Sequence, residues 1–258
     1  MNKASGDILI AVAHPSEEEA VKKAALSAGC RCEIIVTGVG GAAMSWALQK
    51  RFSPGMLPGS HVRASETGRE GVTTSTAGHD QASQTGNLMP SSLPSLVIGA
   101  GIAGSYVESI GPGTVVTTAS DCFADMGLDD NGKFVPLFGA GLADPDTPPF
   151  RGGRIPCSGR WFDLAASLMP AVRGATVNMV SGSQAAIERI RRAWDPEIET
   201  MEGAWLAYTC AMSGVPWLSV RAVSNMVEPR NMKNWKIQLA LDSLKEKMIQ
   251  LLEIIARS

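Results

Sequence analysis

A chain of 258 residues with a formal net charge of -2 is long enough for one large α/β domain or two small ones, and it lacks the clustered basic face that a nucleic-acid partner requires. Its apolar runs fall well short of the ~18 residues that cross a bilayer, and the N-terminal run is too short for a secretory signal, so the expected location is the cytoplasm, with no membrane partner. Five cysteines, an odd number without zinc-ligand spacing, read as reduced thiols and apolar filler.

The first apolar run, ILIAVA at 8–13, reads as a strand. It leads straight into AHPSEEEAV at 13–21, where Glu17, Glu18 and Glu19 open a helix expected over 16–28. Ser16 followed by Glu19 makes a capping box, and acidic side chains in a first turn each gain roughly 0.3 to 1 kcal/mol from the helix dipole. Local pattern therefore accounts for all three carboxylates. The turn nevertheless lies at the carboxyl end of a strand, where open α/β sheets collect ligands, and that leaves room for chemistry at one of them.

A second strand is expected in CEIIVTGVG at 32–40 and a helix over 42–51. TGVGGAA at 37–43 superficially matches a dinucleotide fingerprint. It follows the second strand, however, and the acidic ribose partner about 20 residues on would fall in a polar stretch. Gly38 and Gly40 are read instead as a tight turn with positive φ. Residues 53–94, dense in Gly, Ser, Thr and Pro, read as a long solvated loop or a disordered insertion.

Beyond it, SLVIGAGIAG at 95–104 and TVVTTAS at 114–120 are expected strands. The small residues of GAGIAGS at 99–105 allow either close approach of backbone N–H groups to a ligand or simple close packing. The irregular stretch 141–159 suits a lid or a plain connector equally. A strand over 175–182 and a helix over 184–194 follow. Next comes a helix over 199–213, with Glu202 on an otherwise apolar face among Met201, Ala204, Trp205, Ala207 and Tyr208. The strand WLSVRAVS at 217–224 carries Arg221 and ends at Ser224 and Asn225. A buried carboxylate and a buried guanidinium each need a partner, which is either a Glu202–Arg221 ion pair or a ligand. A last helix over 235–256 shows one apolar stripe, Ile237, Leu241, Leu244, Met248, Leu251 and Ile255, as packing requires. Strands alternating with helices imply an α/β fold with a largely parallel sheet covered on both faces. Only His14, His61 and His79 are present, so a Ser-His-Asp triad or a histidine zinc site is not expected.

The segment from Glu199 to Asn225, ETMEGAWLAY through GVPWLSVRAVSN, resembles the nucleoside phosphorylase and nucleosidase superfamily, whose members carry Met-Glu-Gly/Ala in a helix and Arg-x-x-Ser-Asp/Asn further on. GIAGS at 101–105 is similar to that family's Gly-rich strand end, and AHPSEEE to its first strand-to-helix turn. The matches keep chain order, with 53–94 outside them. GIAGS, FADMG at 123–127, MEG, VSN and PRNMKNW at 229–235 look most like the futalosine hydrolases of the alternative menaquinone pathway.

The resemblance implies one domain spanning 1–258, a three-layer sandwich with a central mixed, largely parallel sheet flanked by helices. It implies a homodimer or larger homo-oligomer in which neighbouring subunits complete part of the pocket. The implied activity is hydrolysis of a purine nucleoside's N-glycosidic bond without metal or cofactor, futalosine giving hypoxanthine and dehypoxanthine futalosine. Glu17 then polarises the water, Glu202 binds a ribose hydroxyl and stabilises the developing cation, and Asn225 meets the base. Ala103, Gly104, Phe123, Met201, Arg221 and Ser224 are the implied substrate contacts.

Cleavage through an oxocarbenium-like state needs those functions. Phosphorylases of the superfamily place an arginine in the first turn, and none stands here, which favours water over phosphate. Asparagine at 225, where aminopurine nucleosidases have aspartate, can donate to a 6-oxo group and accept from a protonated N7. A purine nucleoside phosphorylase, a methylthioadenosine/S-adenosylhomocysteine nucleosidase and a non-catalytic nucleoside-binding protein are the alternatives. Two departures from the family pattern are His14, at a position usually small and commonly threonine, and the polar insertion, which replaces a helix leading to the third strand.

Overall fold

A computed structural model describes residues 8–53 and 93–257. Most of the polar stretch 53–94 lies outside the described residues.

Every residue of β1 (Ile8–Val12) is buried, as in a strand covered on both faces. It runs into α1 (Pro15–Ser27), and β2 (Cys32–Val36) and α2 (Gly41–Phe52) follow. Gly38 and Gly40 both have φ of 92°, the positive values expected of the turn between them. After the polar stretch come β3 (Leu96–Ser105), β4 (Val115–Asp121), the hairpin β5 (Gly127–Asp130) and β6 (Lys133–Pro136), then β7 (Ile155–Pro156) and α3 (Arg160–Leu168). The chain ends with β8 (Ala171–Thr176), α4 (Gln184–Trp194), β9 (Ile198–Thr200), α5 (Gly203–Met212), β10 (Trp217–Met226) and α6 (Ile237–Arg257).

The fold is the expected single-domain α/β sandwich, with a mixed sheet flanked by helices. β1 lies between β2 and β3, all parallel. β3 pairs parallel with β10, β10 antiparallel with β4, and β4 parallel with β8. β8 pairs parallel with β9, and β9 returns antiparallel to the far end of β3 at Gly104 and Ser105. Five strands thus close a ring, from which β1 and β2 extend. The apolar stripe of α6 is buried at Leu241, Leu244, Met248, Leu251 and Ile255, where the helix packs on α1, β10 and β3.

Three local expectations are corrected. The cap of α1 is His14, whose Nδ1 accepts from Ser16 N–H at 3.2 Å, and Glu17 rather than Glu19 returns the bond by accepting from His14 N–H at 3.0 Å. The strand expected over 175–182 occupies Ala171–Thr176 instead. Irregular backbone follows it because carboxylates take its donors: Asp125 accepts from Asn178 N–H at 2.6 Å and Glu199 from Ser181 N–H at 2.9 Å. Finally, the helix expected from 199 begins at Gly203, preceded by β9, so Glu202 is a helix cap and not part of a helix face.

Candidate active site

The carboxyl ends of β1, β3 and β10 meet the turn between β9 and α5 around one cleft of about 440 Å³. Glu17 reaches it from the first turn of α1 and is 5% exposed. Its Oε2 accepts from the N–H groups of Ala13 and His14 at 2.9 and 3.0 Å, and its Oε1 from Ile102 N–H at 3.0 Å. Burial raises its pKa above the usual carboxylate range, a rise that nearby Arg221 partly offsets. Gly101 makes this approach possible. A Cβ there would lie 2.6 Å from Glu17 Oε1 and 2.8 Å from Arg221 Nη1.

Glu202 comes from the other side. Its Oε1 accepts from Gly40 N–H at 2.8 Å, and its Oε2 lies 3.8 Å from Arg221 Nη1. A helix cap usually spends its side chain on the first free N–H groups of the helix, yet Glu202 makes no such bond. Thr200 Oγ1 accepts from Gly203 N–H at 3.1 Å and Thr176 Oγ1 from Ala204 N–H at 2.7 Å, which frees the Glu202 carboxylate for the cleft. Beneath them Asp121, fully buried, accepts from Thr176 Oγ1 at 2.9 Å and from Cys122 N–H at 2.8 Å. Burial pushes its pKa up to about 6.

At the end of β10, Ser224 Oγ donates to Asn225 Oδ1 at 2.8 Å, and Asn225 Nδ2 donates to Met226 O at 2.9 Å, which orients the amide. Glu17, Ala103, Gly104, Met201, Glu202, Ser224 and Asn225 all line the cleft. Two residues expected to touch substrate do not line it. Arg221 is buried behind the carboxylates, its Nη2 without a hydrogen-bond partner among the described residues. Phe123 packs edge-on against Trp205, with ring centroids 4.8 Å apart, in an aromatic cluster with Phe150 and Tyr208. Phe150 stays in that cluster, and no residue of 141–159 lines the cleft.

Sequence reading passed over a third carboxylate in the cleft, Glu199, which is 5% exposed. Its Oε1 accepts from Ser181 N–H and its Oε2 from the Tyr106 hydroxyl. Its position three residues before Glu202 could have flagged it, because residues three apart on the helix expected there share a face. Chemically, the cleft offers a proton acceptor at Glu17, a second carboxylate at Glu202 suited to a developing cation, and an amide at Asn225 able to both donate and accept.

The sequence model of the phosphorylase superfamily matches residues 10–257. The chain belongs to the phosphorylase superfamily. Within it, the chain is 30% identical over 168 residues to the futalosine hydrolase of Streptomyces coelicolor, covering 62% of this chain and 66% of that protein. It is 33% identical over 159 residues to that of Acidothermus cellulolyticus, covering 58% and 62%. The chain thus spans just under two thirds of these relatives' length. Two Helicobacter pylori structures share the superfamily fold. A 5'-methylthioadenosine/S-adenosylhomocysteine nucleosidase superposes with a TM-score of 0.66 at 13% identity, covering 99% of both chains. A futalosine hydrolase superposes with a TM-score of 0.61 at 14% identity, covering 98% of this chain and 96% of that one.

Proposed function

We propose that this superfamily member is a cofactor-independent nucleosidase that hydrolyses the N-glycosidic bond of futalosine, releasing hypoxanthine and dehypoxanthine futalosine. The observation that carries this reading is the convergence of Glu17 and Glu202 on one cleft, with Arg221 behind them and the Asn225 amide at its edge. The similarity to futalosine hydrolases supports the choice of substrate.

In this reading Glu17, a buried carboxylate with a raised pKa, draws a proton from water. Glu202 accepts from a ribose hydroxyl and stabilises the sugar as positive charge develops. Asn225 donates to the 6-oxo group and accepts from N7–H as the base departs. Arg221 positions the two carboxylates from behind. The reading places the protein in the alternative menaquinone pathway, in the cytoplasm and as a homo-oligomer. Among the described residues no helix is long and apolar enough to cross a membrane, which is consistent with that location.

Purified protein incubated with futalosine, with and without phosphate, tests the proposal by chromatography of the released base. Hypoxanthine should form at the same rate in both. No hypoxanthine at high enzyme concentration would sink it, and strict phosphate dependence would make the protein a phosphorylase.

A further inference from the structure

The register of three strands brings together two side chains that the proposed mechanism uses unequally. Gly104 on β3 pairs with Glu199 on β9 and with Asn225 on β10, so the three residues form a row across the sheet. All three line the cleft. Strands lie about 4.8 Å apart, which puts Glu199 and Asn225 roughly 10 Å apart at Cα, with a residue lacking a side chain between them. A Cβ on Gly104 would come within 3.3 Å of Asn225 Nδ2 and 2.9 Å of Val227 Cγ2. The row is therefore a slot with an amide on one wall and a carboxylate on the other.

The carboxylate wall is built to accept. Ser181 N–H holds one Glu199 oxygen at 2.9 Å and the Tyr106 hydroxyl holds the other, so the group is fixed while each oxygen keeps a free lone pair. Both of these bonds are donated to the carboxylate, and the ligand atom that complements its remaining lone pairs is a donor.

We propose that Glu199 is a specificity-determining residue whose carboxylate accepts the N1–H of a 6-oxopurine held between it and Asn225. This deepens the nucleosidase reading and rests on it. A hypoxanthine base offers O6 and N7 to Asn225 and N1–H to Glu199. A 6-aminopurine presents a bare N1 lone pair to the carboxylate. To offer its exocyclic amine instead, it would have to slide away from Asn225. Hydrogen bonds to charged groups and the cost of leaving them unmade set the expected discrimination at tenfold or more.

Calorimetric titration of the full chain with free hypoxanthine, 1-methylhypoxanthine and adenine tests the assignment. Wild-type protein should bind hypoxanthine at least tenfold more tightly than either other base, and in Glu199→Gln the preference over adenine should shrink at least tenfold. The proposal is overturned if 1-methylhypoxanthine binds wild-type protein as well as hypoxanthine does, a result that needs no variant. It is overturned equally if Glu199→Gln keeps the wild-type preference, or if none of the bases binds. Futalosine turnover by the same wild-type preparation separates the two readings. Base preference without turnover removes the hydrolase and keeps Glu199; turnover without base preference does the reverse.

Discussion

Glu17 and Glu18 are neighbours on one helical turn with opposite surroundings. Glu18 bonds Lys22 at the surface at 2.7 Å, and Glu19 does the same with Lys23, whereas Glu17 is buried against three backbone N–H groups. Glu17→Gln should lower turnover by roughly 10² to 10⁴, the usual worth of a general base, with nucleoside binding retained; Glu18→Gln should match wild type. Equal losses in a steady-state assay of both variants would refute the assignment. Gly101→Ala is the complementary test, since its methyl must displace Glu17 or Arg221. We expect a loss of about 1 to 3 kcal/mol in urea unfolding, the range for overpacking, together with depressed turnover. Local pattern could not single out Glu17, because capping explained all three carboxylates alike; family spacing did. Glu199 stayed hidden because its role depends on β9, a strand of three residues that looks like the start of a helix.

At the scale of elements, the start of α5 depends on side chains outside it. Thr176→Val removes the acceptor for Ala204 N–H and the hydroxyl bonded to Asp121. Thermal unfolding should show a cost of about 1 kcal/mol, as for a lost cap. Turnover should fall tenfold or more as Glu202 shifts, and Thr176→Ser should restore both. A loss of stability with unchanged turnover would show that the threonine supports the helix without placing the carboxylate. Long periodic elements such as α6 and the wholly apolar β1 were legible in the sequence because one face or both must be buried. β8 was expected too late in the chain, since the apolar residues after it line the cleft instead of the sheet. The β5–β6 hairpin carried a signal that went unused: Asn131 and Gly132 both have positive φ, the Asn-Gly pattern of a tight hairpin turn.

For the molecule as a whole, Asp121 makes stability depend on pH. In the unfolded chain it titrates near its ordinary 3.8, in the fold near about 6. Below the first value both states hold the proton and nothing is lost. Between the two the unfolded state ionises first, so the fold loses stability as pH rises, by up to about 3 kcal/mol, and the loss is complete above the folded value. Asp121→Asn cannot ionise. Its unfolding free energy relative to wild type should therefore rise between pH 4 and pH 7 in urea titrations, and a constant difference would contradict the burial argument. The alternation of strands and helices announced the sheet, but the closure of five strands into a ring did not show in the sequence, because it depends on which edges meet. That closure lets residues from distant parts of the chain enclose Arg221. One buried guanidinium thus faces three acidic side chains: it lies 3.8 Å from Glu202 Oε2 and partly offsets the burial that raises the pKa of both Glu17 and Asp121. In the proposed reaction the floor of the cleft is therefore richer in carboxylates than in cations, which suits a ribosyl group as it turns positive.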